Sequence, residues 1–230
     1  MAIISLTTLP SRLPKIQTTI NSLAKQGLPI HLFIPKRVHR LNQKFNGHVP
    51  PKIQNKVEVH VVEDLGPITK LIPGFNIDDV VITADDDMIY PDGWGKGLLN
   101  AFNQNPKAVY CYRGRIFKPG IKRYQKTTLI RYKEKPRKVD IVTGVYGAIY
   151  HKDFFPERFF ERPDSRMSHV DDIWISGHLA EENIPRYSIP CPGKVRKGDT
   201  YNIDDLFSIN FQRKHYNNNY AIEKFKWHGK

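Results

Sequence analysis

The sequence of 230 residues has little cysteine and no long apolar run, and each absence excludes a class of protein. Cys111 and Cys191 are too few for a disulfide framework and lack the spacing of a metal site. A reducing cytoplasm is therefore the expected location. No run of about eighteen apolar residues occurs, so we expect no transmembrane helix. The first residues lack the basic start and apolar stretch of a signal peptide.

Acidic residues are scarce relative to basic ones. The 36 Lys and Arg residues outnumber the 23 Asp and Glu residues, which gives a formal net charge of +13. The excess is concentrated in residues 107–138, where twelve basic residues accompany one acid, Glu134. Such a surface attracts nucleic acid, anionic lipid headgroups or phosphorylated glycans, unless it is simply a solvated basic face. Composition leaves these alternatives open.

Strand and helix patterns alternate through the first half of the chain. Short β-branched runs predict strands, and apolar residues at helical spacing predict the helices. The predicted strands are residues 3–6, 30–34, 57–62, 80–84 and 108–112, and the predicted helices are residues 11–25 and 93–105. This alternation predicts an α/β fold with a mostly parallel central sheet flanked by helices.

The second half is less regular. Its predicted features are a basic hairpin or irregular excursion at 113–138, an apolar segment at 139–150, a helix at 171–182, a short strand at 186–189 and one or two helices within 201–230. No linker marks a domain boundary. We therefore expect one domain over residues 1–230, with halves at 1–112 and 113–230.

Three consecutive aspartates, Asp85, Asp86 and Asp87, follow the predicted strand at 80–84. Their charges repel one another, and a bound cation relieves that repulsion. If extended geometry continues beyond the strand, Asp85 and Asp87 point one way and Asp86 the other. Ligands bind at the carboxyl ends of strands in open α/β sheets. The alternative is an acidic turn that caps the helix at 93–105.

Two common phosphate-binding motifs are missing, since neither GxxxxGK[ST] nor GxGxxG occurs. Carboxylates at a strand end instead suggest Mg²⁺ or Mn²⁺, which bind one or two carboxylates together with substrate phosphate oxygens. The expected substrate is a nucleotide or another diphosphate. Arg12 and Lys70 are candidate phosphate partners, although each could be an ordinary surface charge.

A second acidic pair, Asp171 and Asp172, opens the predicted helix at 171–182. A carboxylate in this position stabilises a helix N-terminus. A carboxylate near a metal site has another use, as the general base that deprotonates an attacking hydroxyl. Spacing alone leaves both roles open.

Four segments in order resemble GT-A-fold glycosyltransferases, most closely the bacterial family-2-like enzymes that build surface polysaccharide. They are SLTTLPSR at 5–12, DLGPITKLIP at 64–73, TADDDMIYP at 83–91 and VDD at 170–172. The resemblance covers residues 3–182. It implies a Rossmann-like GT-A fold, with a nucleotide-sugar-binding half at 1–112 and a C-terminal acceptor-side half at 113–230. It also implies Mn²⁺- or Mg²⁺-dependent sugar transfer from a nucleoside diphosphate sugar, with UDP as the default, to a hydroxyl of a cell-surface glycan or lipid-linked acceptor with inversion.

The resemblance assigns roles to individual residues. Asp85 and Asp87 match the metal-binding positions of the DXD motif, and His215 is the first candidate for a third ligand, with His228 the second. Asp172 matches the catalytic base, and Asp171 an acceptor contact. The expected donor contacts are Thr7, Thr8, Arg12, Asp64, Lys70, Asp85, Asp86, Gly144 and Gly147.

The same interpretation gives the basic segment at 107–138 a role. It would face the acceptor or an anionic membrane, which places the protein in the cytoplasm, peripheral to the inner face of the plasma membrane. No nucleic-acid partner is then expected. Two other classes stay open: a metal-dependent nucleotidyltransferase or nuclease that uses the same carboxylates, and a basic nucleic-acid-binding module whose acids are structural.

Overall fold

A computed structural model describes residues 2–131, 135–161, 164, 166–201, 203–204 and 216–227. The strands are β1 (Ile3–Thr7), β2 (Ile30–Pro35), β3 (Arg37–Val38), β4 (Gln43–Lys44), β5 (Glu58–Val62), β6 (Val80–Asp85), β7 (Met88–Ile89), β8 (Val109–Cys111), β9 (Arg113–Ile116), β10 (Thr128–Arg131), β11 (Arg137–Lys138), β12 (Ile141–Val142), β13 (Ala148–His151), β14 (Arg186–Ser188) and β15 (Arg196–Lys197). The α-helices are α1 (Gln17–Ala24), α2 (Pro51–Gln54), α3 (Trp94–Gln104), α4 (Asp171–Glu181) and α5 (Tyr216–Glu223).

Short 3-10 helices supply several of the connections. They are Leu13–Lys15, His39–Leu41, Gly66–Lys70, Pro73–Asn76, Tyr124–Lys126, Gly144–Tyr146, Lys152–Phe154, Glu157–Phe160 and Met167–His169. None of the described helices is long and apolar enough to cross a bilayer.

Eight strands form one sheet in the order β11-β14-β8-β13-β6-β1-β2-β5. Six run in the same direction, whereas β13 and the edge strand β11 run the opposite way. In the centre, Leu6 of β1 pairs with Leu32 of β2 on one side and Ala84 of β6 on the other. The sheet is therefore mostly parallel and flanked by helices, which confirms the α/β class predicted from the sequence.

The central strands are apolar because the sheet is covered by other elements. Ile4, Leu32 and Ile82 are fully buried. Helix α3 packs against β8 and β13, burying Trp94 and Leu98. Burial of continuous apolar strands is typical of parallel sheets, and it explains why their runs show no alternation.

The irregular second half contains a hairpin at its basic segment. Strands β9 and β10 are antiparallel, with Arg113 opposite Arg131, and β12 joins them in a small sheet. The predicted hairpin is therefore confirmed. The predicted helices at 93–105 and 171–182 are confirmed as α3 and α4, and α5 lies within 201–230 as expected.

A late segment of the chain returns to the acidic turn that follows β6. We name residues 196–201 and 203–204 the clasp segment. Its strand β15 pairs with β7, and the N–H of Gly198 donates to the carbonyl of Asp87 at 2.7 Å. Arg12 Nε donates to the carbonyl of Ile203 at 2.8 Å. The clasp segment thus ties the loops after β1 and β6 together.

Candidate functional site

A cavity of about 820 Å³ opens beyond the carboxyl ends of the central strands. Thr7, Pro35 and Asp85, the last residues of β1, β2 and β6, all line it. The chain leaves β1 for β2 on one side and later returns to β6 on the other. The cavity therefore lies where the strand order reverses, which is the usual ligand position in open α/β sheets. Its volume suits a small organic ligand.

The three aspartates after β6 have different surroundings. Strand β6 extends only to Asp85, and a turn starts at Asp86. The extended geometry assumed across the triplet therefore stops at its first residue. None of the three caps α3, whose N-cap is Gly93 without a side-chain hydrogen bond. The capping alternative is wrong.

Asp86 is buried and fully engaged by protein groups. Its carboxylate accepts hydrogen bonds from Thr8 Oγ1 at 2.5 Å and Arg12 at 2.6 Å. Its carbonyl accepts from Thr19 at 3.1 Å and Thr200 at 2.7 Å. Burial raises the pKa of Asp86, although the charge of Arg12 opposes that shift. Asp86 therefore fixes Arg12 at the cavity wall.

Asp85 shares a buried ammonium with the second acidic pair. Lys70 Nζ lies 2.8 Å from Asp85 Oδ1 and 2.9 Å from Asp171 Oδ2. Burial lowers the pKa of Lys70, but the charges of Asp171 and Asp85 outweigh burial and raise it well above its usual value. The 3-10 helix Gly66–Lys70 brings Lys70 to this position. The cation joins the end of β6 to the start of α4.

Asp87 is the member of the triplet that the described part of the chain leaves without an ion-pair partner. Burial and the charges of Asp85 and Asp86 raise its pKa to about 7. A divalent cation bound by Asp85 and Asp87 would relieve this repulsion, and carboxylate oxygens are the ligands that Mg²⁺ and Mn²⁺ prefer. The donor set therefore fits the expected metal. His215 and His228, the candidates for a third ligand, lie outside the described residues.

Asp172 stands in the first turn of α4 and lines the same cavity. The main-chain N–H of Gly144 donates to its Oδ1 at 2.8 Å. Burial and the charge of Asp171 raise the pKa of Asp172 to about 7. No side chain caps α4, whose N-cap is Val170. A carboxylate with this pKa is suited to accept a proton near neutral pH.

The remaining predicted donor contacts divide into two groups. Thr7 and Asp64 line the cavity while bonding to main chain: Thr7 Oγ1 donates to Phe33 at 3.0 Å, and Asp64 accepts from the N–H of Gly66 at 2.8 Å. Gly144 and Gly147 are not among the described residues that line it.

Gly147 has a packing role instead. Its φ is +96°, and an added Cβ would lie 2.3 Å from the ring of Trp94. The position therefore requires glycine for close approach to the core. Gly144 acts indirectly through Asp172, as described above.

The structure adds cations that the sequence analysis assigned only to the basic surface. Arg113 and Arg115, on β9, both line the cavity. The guanidinium of Arg115 lies 4.4 Å from the ring centroid of Tyr124, which also lines it. Alternation along a strand places residues two apart on one face. The pattern Arg-Gly-Arg at 113–115, on a strand, could therefore have predicted that both arginines lie on one face.

No protein-family model matches this sequence, and no curated protein matches it. The cavity itself combines several carboxylates, several cations and two aspartates, Asp87 and Asp172, whose pKa values are raised to about 7. Perturbed pKa values gathered in one cleft are characteristic of catalytic sites.

Proposed function

We propose that the protein is a metal-dependent glycosyltransferase of the GT-A type. It would transfer a sugar from a nucleoside diphosphate sugar, with UDP as the default nucleotide, to an acceptor hydroxyl. The observation that carries this proposal is the presence of Asp87 and Asp172 in one cavity at the strand-order reversal. The first offers metal-binding oxygen, and the second offers a base.

The acidic turn would bind the metal ion, and the neighbouring arginines would bind the phosphates of the donor. Asp85 and Asp87 would hold Mn²⁺ or Mg²⁺, which when bound neutralises charge on the departing diphosphate. Arg12, Arg113 and Arg115 provide fixed positive charge around the same space, and arginine is well suited to phosphate oxygens.

Asp172 is the proposed general base. It takes the proton of the acceptor hydroxyl while the hydroxyl oxygen forms a bond to the anomeric carbon. In the same step the bond from that carbon to the diphosphate oxygen breaks, and the electron pair leaves with the diphosphate. A single displacement inverts the configuration. A base whose pKa is about 7 is partly deprotonated at neutral pH and still accepts a proton readily.

Lys70 has a positioning role in this mechanism. Its ammonium pairs with Asp85 on the donor side and Asp171 beside the base. Both carboxylates are held in one geometry by a cation that is itself buried. Lys70 therefore fixes the separation between the donor-binding turn and the start of α4.

The acceptor is proposed to be an anionic glycan or a lipid-linked glycan at an anionic membrane. Strand β9 leads from Arg113 and Arg115 in the cavity toward an exposed basic loop. Within that loop Lys118, Arg123 and Lys126 are exposed. Basic residues thus recur along the chain from the cavity to the exposed loop, which favours a negatively charged acceptor or lipid headgroup.

The test is a thermal-shift series with UDP, GDP, CDP and ADP, each with and without Mn²⁺. We expect one nucleotide to stabilise the protein in a metal-dependent way, by about 2.7 kcal/mol at a hundred times its Kd. Asp87→Asn should abolish the metal dependence, whereas Asp92→Asn, whose side chain is 85% exposed, should retain it.

The sugar conjugate of that nucleotide then tests transfer. Metal-dependent release of the nucleoside diphosphate is the expected result. Stabilisation by none of the four diphosphates, or by oligonucleotides alone, would overturn the proposal and favour the nucleotidyltransferase, nuclease or nucleic-acid-binding classes.

A further inference from the structure

A second group of ligating side chains lies in the β2–β5 pair at one edge of the sheet. His31 is in β2, and Glu58 and His60 are in β5. The strands are parallel, with His31 opposite Glu58 and Phe33 opposite His60. Residues two apart on a strand share a face, so Glu58 and His60 project together beside His31. None of the three lines the cavity.

One potential ligand atom from each of the three residues lies within 4.8 Å of the other two. His31 Nδ1 lies 3.0 Å from His60 Nε2 and 3.7 Å from Glu58 Oε2, and His60 Nε2 lies 3.5 Å from Glu58 Oε1. Ligands about 2.0–2.1 Å from a tetrahedral Zn²⁺ are separated by roughly 3.3–3.4 Å. The observed separations bracket that value. One ion could thus contact all three residues after a rotation of the exposed Glu58 side chain.

The imidazoles are held in place by neighbouring rings. His60 stacks on Phe33 with centroids 4.9 Å apart, and on His31 at 5.2 Å. His31 is buried, whereas the side chain of Glu58 is 67% exposed. The site is therefore rigid on its histidine side and open to solvent through Glu58. An ion can enter without unfolding the sheet.

A hydrogen bond between two neutral imidazoles would also explain the 3.0 Å nitrogen separation. It would not explain why a carboxylate reaches both nitrogens from the exposed side. A ligand set of two nitrogens and one carboxylate oxygen, with a fourth position left for water, is instead a known arrangement for Zn²⁺. Imidazole favours Zn²⁺ over Mg²⁺ and Mn²⁺.

We propose that His31, Glu58 and His60 form a Zn²⁺-binding site that joins the edge strand β5 to β2. It is separate from the acidic turn, because the cavity lies at the carboxyl ends of the strands whereas Glu58 begins β5. The two sites also differ in ligand chemistry, nitrogen-rich at the edge and all-oxygen at the turn. The inference does not depend on the proposed transferase activity.

Calorimetric titration of the chelator-stripped full chain with Zn²⁺ tests the site. Millimolar Mg²⁺ is present throughout to occupy oxygen-ligand positions. We expect one Zn²⁺ per chain in the wild type. Removing a residue that only hydrogen-bonds to a metal ligand weakens metal affinity at least about tenfold. Glu58→Gln and His60→Ala remove ligands themselves, so each should lower Zn²⁺ affinity by more than about tenfold. His48→Gln, which alters an exposed histidine elsewhere, is the matched control.

Cobalt(II) gives an independent readout, because a tetrahedral nitrogen-ligated ion has a visible absorption band that hydrated Co²⁺ lacks. The band should appear in wild type and His48→Gln and disappear in His60→Ala. Far-UV circular dichroism verifies that Glu58→Gln, an exposed change, keeps the fold. Unchanged Zn²⁺ affinity in both ligand variants, or no binding to the wild type, would overturn the proposal.

Discussion

The main-chain N–H of Gly144 donates a 2.8 Å hydrogen bond to Oδ1 of Asp172, and this contact distinguishes the two acids that open α4. Asp171 pairs directly with the ammonium of Lys70, whereas Asp172 receives a neutral donor. Burial and the charge of Asp171 raise the pKa of Asp172 to about 7, and the charge of Lys70 and the hydrogen bond from Gly144 oppose that shift. Asp171, in contrast, is held in an ion pair with Lys70.

Replacing the base should remove turnover and keep the fold. In Asp172→Asn the amide retains an oxygen for the N–H of Gly144 but cannot accept the acceptor proton. We expect kcat to fall about 10²- to 10⁴-fold, the usual contribution of general-base catalysis. Nucleotide-sugar turnover measures the effect, with Asp92→Asn as the exposed control. A loss below about tenfold would exclude Asp172 as the base.

The pH dependence of the reaction should follow the same carboxylate. Asp172 acts only when deprotonated, so kcat/KM should rise with pH and level off above a pKa of about 7. The profile is measured at saturating Mn²⁺, which keeps Asp87 ionised. A rate that is flat between about pH 5.5 and 8 would contradict this assignment.

The free energy of unfolding should fall with rising pH because of Asp87, whereas kcat/KM should rise. Its pKa is raised from 3.8 to about 7 on folding, so the folded state binds this proton more tightly than the unfolded state. The resulting stability is complete below about pH 4 and is lost as pH rises through about 7.

Without divalent ions, Asp87→Asn should therefore gain stability relative to wild type at about pH 8 and gain clearly less at about pH 5, where only part of the effect has developed. Urea denaturation at the two pH values measures the difference. Asp92→Asn provides the comparison with an exposed aspartate. An equal effect of Asp87→Asn at both pH values would show that the carboxyl is not perturbed.

Removing the shared ammonium should destabilise the fold strongly. Lys70→Met leaves Asp85 and Asp171 as neighbouring carboxylates without their cation. Breaking a buried ion pair costs about 3–5 kcal/mol of unfolding free energy. Adding Asp171→Asn should restore part of the loss, which a double-mutant cycle in urea would detect. Additive effects in that cycle would show that the two side chains are not coupled.

The exposed basic loop should bind anionic membranes. The variant replaces three exposed residues by glutamine: Lys118, Arg123 and Lys126. Each basic residue near an anionic surface contributes about 1 kcal/mol, so vesicle affinity should fall roughly 100-fold. Co-sedimentation with phosphatidylserine-containing vesicles measures the loss.

The matched control changes as many exposed charges in the first quarter of the chain, with Lys15, Lys44 and Lys52 replaced by glutamine. This control should bind vesicles nearly as well as wild type, because its substitutions lie outside the loop. Its net charge equals that of the loop variant, so the comparison separates the loop from overall charge. Equal loss in both variants would mean that overall charge, rather than the loop, determines binding.

The strands of the sheet were predictable because each one is specified by a short run of neighbouring residues. Buried β-branched runs such as residues 80–84 specify strands wherever they occur, and the helices between them repeat apolar residues at helical spacing. The gathering of Asp87 and Asp172 in one cavity was expected from the resemblance, and the structure places both there. Their raised pKa values depend on burial, which a sequence alone does not give.

The hydrogen-bond partners of the acidic turn were not predictable. Alternation failed after Asp85 because a turn begins at Asp86, whose partners include Thr8, earlier in the chain, and Thr200, much later. Contacts between residues so distant in sequence have no local signature. The same limit applies to His31 and His60, which meet only because β2 and β5 are neighbours in the sheet.

Because the clasp segment comes late in the chain, its contacts with the acidic turn form after the central strands have been synthesised. Strands β1, β2, β5 and β6 are complete once Asp85 has been made. The hydrogen bonds from Thr200 to the carbonyl of Asp86 and from Arg12 to the carbonyl of Ile203 can form only after the later residues have been added. Contacts that join remote parts of a chain form late in folding. A nascent chain still short of Thr200 therefore carries its aspartates on an unfinished turn. A chain terminated before Thr200 would therefore keep these four strands but lack the contacts that complete the acidic turn.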